Sequence, residues 1–389
     1  MTKPIKALGL GVALALLAVA CNTGGGATPA PTAGATAGAT AGATTPAATT
    51  GTGEGQYHIG YSNATGIGNG FREEQVCTAK AEALHSGEVS EMTLIHQDVD
   101  ANQQLADIRT LIQAGSDAIV FNPDDPDALT PALEEAHDAG IVTVSVDAYT
   151  NHADSYNLYN NQTKYAELGA RWLFEKLGGT GTVWYMRGAA GNPADSDRDI
   201  GFKAALENYP GITLVPSDEG VYTEWNPTTT TQIATDFIAA GDYDEVNGIW
   251  TSGMDSQVVT AIKDAGKDFV PIVGADLGAF VEQLLDEENY PGLEGAAVTN
   301  TAAVGGAGVN LALKLLNGEE VETAADAPKP NTVLLDPVLA ANDTDDGRAL
   351  LESWQVDGLD PLWPLGLQIE GWTTYTPEEA LACKGPGGI

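Results

Sequence analysis

A set of planar polar side chains stands at the ends of apolar runs. Asn122 follows Ala118-Ile119-Val120-Phe121, and Asp147 follows Val144-Ser145-Val146. Asp276 follows Val273-Gly274-Ala275, and Asn300 closes the segment 296–299. Asn69 and Arg72 come after the first such run, and Asn160 and Asn161 lie further along. Arg198 precedes Gly201-Phe202, and Trp225 sits before Asn226-Pro227. Carboxylate and amide groups bind neighbouring hydroxyls in pairs, and Arg donates in a fixed fork. Trp offers a flat apolar face to C–H groups. The chemistry open to this set is reversible hydrogen bonding to a small polyhydroxylated solute, each charge-assisted bond contributing ~1.5–3 kcal/mol.

Signals for bond-making chemistry are weak. Gly66-Ile67-Gly68-Asn69-Gly70 follows a strand-like run but lacks the spacing of a dinucleotide fingerprint. The five His show neither zinc-finger spacing nor His-Glu-x-x-His, and there is no Gly-x-Ser-x-Gly elbow. Asp343-Thr344-Asp345-Asp346-Gly347 has the look of a calcium loop without its downstream bidentate Glu, and reads as a solvated turn. No catalytic residue, metal site or cofactor is expected.

The elements that must hold the polar set alternate between β-rich runs and amphipathic helices. Strands are expected at 58–61, 92–97, 118–121 and 141–146, with helices at 70–84, 101–114 and 129–139 between and beside them. The series then restarts. Helices at 165–177, 199–208 and 256–265 alternate with strands at 182–186, 213–215, 248–251 and 270–273. Asn226-Pro227 is a helix start, with Asn as cap and Pro in the first turn. The pattern predicts an α/β fold of two similar Rossmann-like lobes with parallel sheets. In such sheets ligands lie beyond the carboxyl ends of the strands. Two facing lobes therefore enclose a cleft lined by strand-end loops.

The N-terminus reads as an export signal. Lys3 and Lys6 precede an apolar run at 7–20, too short to span a bilayer. It ends in Ala18-Val19-Ala20-Cys21, so residues 1–20 are expected to be removed and Cys21 lipidated, with ordinary secretion as the alternative. Residues 21–56 are almost wholly Ala, Thr, Gly and Pro, a flexible tether reaching about 30 Å. The expected location is extracytoplasmic, held at the membrane by lipid. The folded length favours two lobes, here 57–159 plus 301–332 and 160–300 plus 333–389 with a C-terminal extension. The net charge of −37, from 54 acidic and 17 basic residues, argues against nucleic acid and anionic headgroups as partners. With Cys21 explained, Cys77 and Cys383 remain as an even pair in an oxidising compartment. A disulfide joining the first helix to the C-terminus is expected, with two buried free thiols as the alternative.

At these residues the chain resembles the type I periplasmic-binding proteins, near the ribose-binding branch that serves ABC importers. Carrying it are Gly68-Asn69-Gly70-Phe71-Arg72, Ile119-Val120-Phe121-Asn122-Pro123, Val144-Ser145-Val146-Asp147 and Arg198-Asp199-Ile200-Gly201-Phe202. Asp255 to Gly266, Val273-Gly274-Ala275-Asp276 and Val304-Gly305-Gly306 complete the order. The resemblance covers roughly 57–335. It implies a three-strand hinge, with crossings near residues 159–160, 299–301 and 331–334, that closes on ligand. It also implies that Asn122, Asp147, Asn161, Arg198, Asp276 and Asn300 bond sugar hydroxyls while Trp225 stacks on the ring. Ala148 stands where ribose binders carry Arg, and Thr251-Ser252 where they carry Asn-Asp, so a related sugar or polyol is expected instead of ribose. The pair Asn69 and Arg72 is placed to supply part of what Ala148 lacks.

The function expected is thus a monomeric lipoprotein receptor that is not an enzyme and passes a small sugar or polyol to an ABC importer permease. The competing readings are a nucleoside or furanose-like ligand, a sensory partner of a membrane kinase, and a secreted hydrolase. The tail from about 336, with Trp354, Trp363 and Trp372, is expected to pack back over the lobes.

Overall fold

Runs of apolar and β-branched residues become the strands of two sheets. The computed structural model describes residues 49–64, 69–325, 327 and 329–388. The expected signal peptide, Cys21, most of the expected tether and Gly66 to Gly68 lie outside the described residues.

The first lobe is built from β1 (Thr49–Thr52), β2 (Tyr57–Ala64), α1 (Gly70–His85), β3 (Val89–Gln97), α2 (Ala101–Gln113), β4 (Ala118–Asn122), α3 (Thr130–Asp138), β5 (Val142–Val146) and β6 (Tyr156–Asn160). The second follows with α4 (Gln162–Lys176), β7 (Thr180–Arg187), α5 (Pro193–Leu206), β8 (Gly211–Val215), β9 (Val221–Tyr222), α6 (Pro227–Ala240), β10 (Gly248–Trp250), α7 (Asp255–Asp264), β11 (Ile272–Ala275), α8 (Gly278–Leu285) and β12 (Gly295–Val298). The chain then returns through α9 (Val304–Leu316) and β13 (Thr332–Leu335), and ends with β14 (Leu339–Ala341), α10 (Asp345–Trp354) and α11 (Pro377–Ala382).

The sheets run in the order β1-β3-β2-β4-β5-β6-β13 and β14-β12-β11-β10-β7-β8. All neighbours are parallel except β1 on β3 and β14 on β12. Central strands are apolar on both faces because helices cover both faces. Ala118, Ile119, Val120 and Phe121 are all fully buried. One side of the first sheet packs Ile108, Leu111 and Leu133, the other Val304, Val309 and Leu311. Each such side chain contributes ~1.5–3 kcal/mol on burial.

Several expectations are corrected. The tether does not extend to 56, because residues 49–52 pair as an edge strand. Helix α4 starts at Gln162, and α5 starts at Pro193 behind an Asn192 cap, earlier than 165 and 199. Two of the Asn-Pro dipeptides, Asn192-Pro193 and Asn226-Pro227, start helices in the same way. The third crossing between lobes comes after β13, at 336–338, because Thr332 to Leu335 pair with β6 of the first sheet. The tail does not stay with the second lobe. Helix α10 packs on β14 and α8, but α11 packs on α1 of the first lobe. There Cys77 and Cys383 form the expected disulfide, with Cα atoms 4.4 Å apart.

Candidate binding cleft

The carboxyl ends of β2 and β5 face those of β10, β11 and β12 across a cavity. Its wall contains Arg72 and Asp147 from the first lobe and Arg198 and Asp276 from the second, with no other charged side chain among the described residues. Gln162, Asn69, Asn300 and Ser252 add neutral polar groups, and Trp225, Met254, Leu277, Phe71, Leu362 and Pro364 add apolar surface.

Asp147 leaves β5 in the left-handed region, φ 65°. Trp225 (φ 46°) and Met254 (φ 64°) do the same. Such backbone is costly for non-glycine residues and persists where surroundings hold a side chain in a functional position. Asp147 is held by Asn122, whose amide donates to its Oδ2 at 3.1 Å and to Gln75 Oε1 at 3.0 Å. Asn122 is itself fully buried and off the cavity wall, so it orients Asp147 from beneath. Its Oδ1 has no partner among the described residues. Arg72 donates to Asn63 Oδ1 at 3.1 Å, and burial lowers its pKa while the nearby Asp147 carboxylate works against that.

Gln162 ties the lobes together, and sequence reasoning missed it. It accepts from Arg198 Nε at 2.7 Å and donates to Asn300 Oδ1 at 3.0 Å and, more loosely, to Asp147 Oδ1 at 3.5 Å. Asn161, the residue expected on the wall, instead caps α4 by accepting from the Lys164 N–H at 3.1 Å. Its amide donates outward to Asp336 at 3.0 Å. A cap must turn its side chain back onto the first helical turn, which takes it away from the cleft. The earlier start of α4 was the missing signal, since it makes Asn161 the cap and Gln162 the first helical residue.

Arg198 lies within α5, not in the loop before it, and is almost fully buried. Its Nη1 donates to the Ser252 carbonyl at 2.6 Å and to Ser252 Oγ at 3.0 Å. Its guanidinium stacks 4.1 Å from the Tyr165 ring centre. Among the described residues no carboxylate lies within ion-pair distance of it. Asp276 is the complementary case. Its Oδ1 accepts from the Asn300 N–H at 2.9 Å, while the buried Oδ2 has no partner among the described residues. Burial pushes its pKa up to about 6, the Asn300 N–H and Arg198 pulling the other way. Asp255 is also raised to about 6 by burial, but it is walled off under Gly274 and bonded to Thr251 and the Ala275 N–H.

Trp225 lies across Gly188, where a Cβ would come within 2.2 Å of the indole, and its Nε1 donates to the Ser252 carbonyl at 2.8 Å. Glycine is required at 188 for this close approach. The Gly188 loop is fixed by Asp195, which accepts from the Gly188 N–H at 2.7 Å and pairs with buried Arg187 at 2.5 Å. Asn69 caps α1 and reaches across to the Trp225 carbonyl at 3.4 Å. The structure therefore gathers Asn69, Arg72, Asp147, Arg198, Trp225, Asp276 and Asn300 on one wall, leaves Asn122 behind it and turns Asn161 away.

The chain is similar to known proteins in sequence and in fold. A family model described as a periplasmic binding protein domain matches residues 59–320. The xylitol-binding protein of Mycolicibacterium smegmatis is 26% identical over 227 residues, 58% of this chain and 63% of that protein. The ribose import binding protein of Bacillus subtilis is 28% identical over 148 residues, 38% of this chain and 48% of that one. The chain thus spans about half to two thirds of the length of these relatives. Among solved structures, an ABC transporter solute-binding protein from Thermobispora bispora superposes with a TM-score of 0.67 at 24% identity, covering 79% of this chain and 90% of that one. With the matched region spanning both lobes and the cleft between them, this chain belongs to the periplasmic-binding-protein family.

Proposed function

We propose that the cleft captures one small neutral sugar or polyol and that the protein delivers it to an ABC importer. The observation that carries this is the balance of charge on the wall. Two Arg and two Asp face the cavity with no other charged side chain among the described residues. A carboxylated or cationic ligand would leave one sign of buried charge uncompensated, at a cost of several kcal/mol. A neutral ligand with several hydroxyls satisfies both signs, donating to Asp276 Oδ2 and Asp147 and accepting from Arg72 and Arg198. Trp225 offers the face for C–H groups. The names of two relatives, a xylitol-binding and a ribose import binding protein, agree with that class. Ala148 and Thr251 depart from the ribose pattern and favour a different member of it.

In this reading the chain acts as a monomer outside the cytoplasm, tethered by lipid on Cys21 and by the Ala/Thr/Gly linker. Asn69, Arg72, Asp147, Gln162, Arg198, Trp225, Asp276 and Asn300 contact the ligand, with Asn122 supporting Asp147. Closure of the two lobes creates the surface the permease reads. Calorimetry against pentoses, hexoses and polyols should find a micromolar or tighter ligand. Folded protein that is silent across that panel, or that binds amino acids or carboxylates instead, defeats the reading. Labelling with radioactive palmitate, lost on Cys21→Ser, tests the anchor.

A further inference from the structure

The C-terminal extension contributes to the cleft. From α10 on the second lobe the chain runs along the loop that follows β11. The Gly278 N–H donates to the Trp363 carbonyl at 2.9 Å, and the Ala279 N–H to the Pro361 carbonyl at 2.8 Å. The Leu365 N–H donates to the carbonyl of Asp276 at 2.9 Å, and Pro364 bridges to Leu277. Residues 361–365 are thus fixed by main-chain bonds to the strand end that carries Asp276. Two residues later the chain belongs to the other lobe. Leu367 packs with Ala81, Tyr375 and Ala380, and Thr374 donates twice to Glu82 at 2.8 and 2.9 Å. The disulfide from Cys383 to Cys77 completes that attachment. Between the two anchorages, Thr301 at the second crossing donates to the Gly366 carbonyl.

The extension is therefore a fourth connection between the lobes, and it passes the hinge at Gly366. Leu362 and Pro364, on its second-lobe side, present apolar surface to the cavity. On the opposite lobe the carbonyl of Leu362 lies where a Cβ on Gly70 would come within 2.3 Å, so the strap meets the first turn of α1.

We propose that Leu362 and Pro364 are specificity-determining residues, setting the length of the sugar or polyol that fits. This rests on the sugar or polyol reading of the cleft. The polar wall of Asp147, Gln162, Arg198 and Asp276 fixes the hydroxyls of one ligand edge. The strap closes the space beyond that edge with hydrocarbon, where an additional hydroxymethine group would lose its hydration without gaining a partner. Replacing the isobutyl group of Leu362 with a methyl group opens room for that group.

The test is the ratio of affinities for ligands that differ by one carbon, xylitol against sorbitol and D-ribose against D-allose, measured by calorimetry on the full folded chain. Leu362→Ala should shift the ratio toward the longer member by about tenfold, the scale of one methylene in an apolar pocket. The conservative Leu362→Met should keep the wild-type ratio. A ratio within twofold of wild type in Leu362→Ala overturns the proposal even if overall affinity falls, because a purely structural strap would weaken both ligands alike. If Leu362→Ala does not fold, Leu362→Val gives the same readout with a smaller shift, and an unmoved ratio there overturns it too. Wild-type protein that binds none of the four defeats the underlying reading of the cleft, a result distinct from binding with an unmoved ratio.

Discussion

Replacing Asp276 with Asn separates what this residue does for binding from what it does to stability. Its Oδ2 is buried without a partner among the described residues, and burial raises its pKa from 3.8 to about 6. An acid whose folded pKa lies above its unfolded value is bound more tightly to its proton in the folded state. Its contribution is therefore favourable below the ordinary value and is lost as pH rises through about 6. The displacement from 3.8 to about 6 corresponds to about 3 kcal/mol between acid and neutral pH. The amide keeps the Oδ1 acceptor for the Asn300 N–H and carries no charge at any pH. Burial raises the pKa of Glu74 well above the ordinary value, and the nearby Asp276 raises it further. The melting temperature of Asp276→Asn relative to wild type should thus be higher at pH 8 than at pH 4.5, by several degrees on the scale of ~2–4 °C per kcal/mol. Comparing the two pH values removes any constant cost of the amide. At pH 7.5 ligand affinity should fall roughly 10- to 150-fold, the worth of one charge-assisted bond of ~1.5–3 kcal/mol. Scanning fluorimetry at both pH values and calorimetry at the higher one suffice. A stability difference independent of pH, or unchanged affinity, would refute the reasoning.

Further perturbations distinguish the residues on the wall from those behind it. Gln162→Ala removes the link between Arg198, Asn300 and Asp147 and should weaken binding about tenfold or more, whereas Asn161→Ala should leave affinity within threefold and lower stability by the ~0.5–2 kcal/mol of a lost helix cap. Gly188→Ala drives a methyl into the Trp225 indole; a loss of ligand-dependent quenching of tryptophan fluorescence is expected, and unaltered quenching would place Trp225 away from the ligand. Asn122→Ala leaves Asp147 with only the looser donor from Gln162 and should weaken binding by about tenfold, as read by calorimetry.

Much of the fold was legible because its signals are local. The buried run 118–121 and the alternation that follows it can only be strands covered on both faces. The strand-end positions of Asn122, Asp147 and Asp276 followed directly from where those runs stop. Helix starts were harder. The polar first turns of α4 and α5 carry little apolar periodicity, so both were expected too late, and that error placed Asn161 on the wall and kept Gln162 from notice. Asn122 was read as a ligand residue because it ends a strand, but its full burial under Asp147 depends on how β4 and β5 stagger, which no single run reveals. The strand at 49–52 was hidden by composition, since Thr and Gly read as tether until an edge of β3 is available to pair with them. The third crossing was displaced for a related reason, because Thr332 to Leu335 look alike whether they pair with the first sheet or the second. The disulfide was accessible by counting cysteines, but the path of the extension across the cleft depends on contacts between residues far apart in sequence.

The most direct test of the central claim is a crystal structure of the protein with the tightest ligand from the calorimetric panel. The account predicts one neutral polyhydroxylated molecule between the lobes, a hydroxyl within hydrogen-bond distance of Asp276 Oδ2, another against Arg198, and a C–H face on Trp225. Ligand found outside this cavity, or inside it with Asp276 Oδ2 still unpartnered, would contradict it.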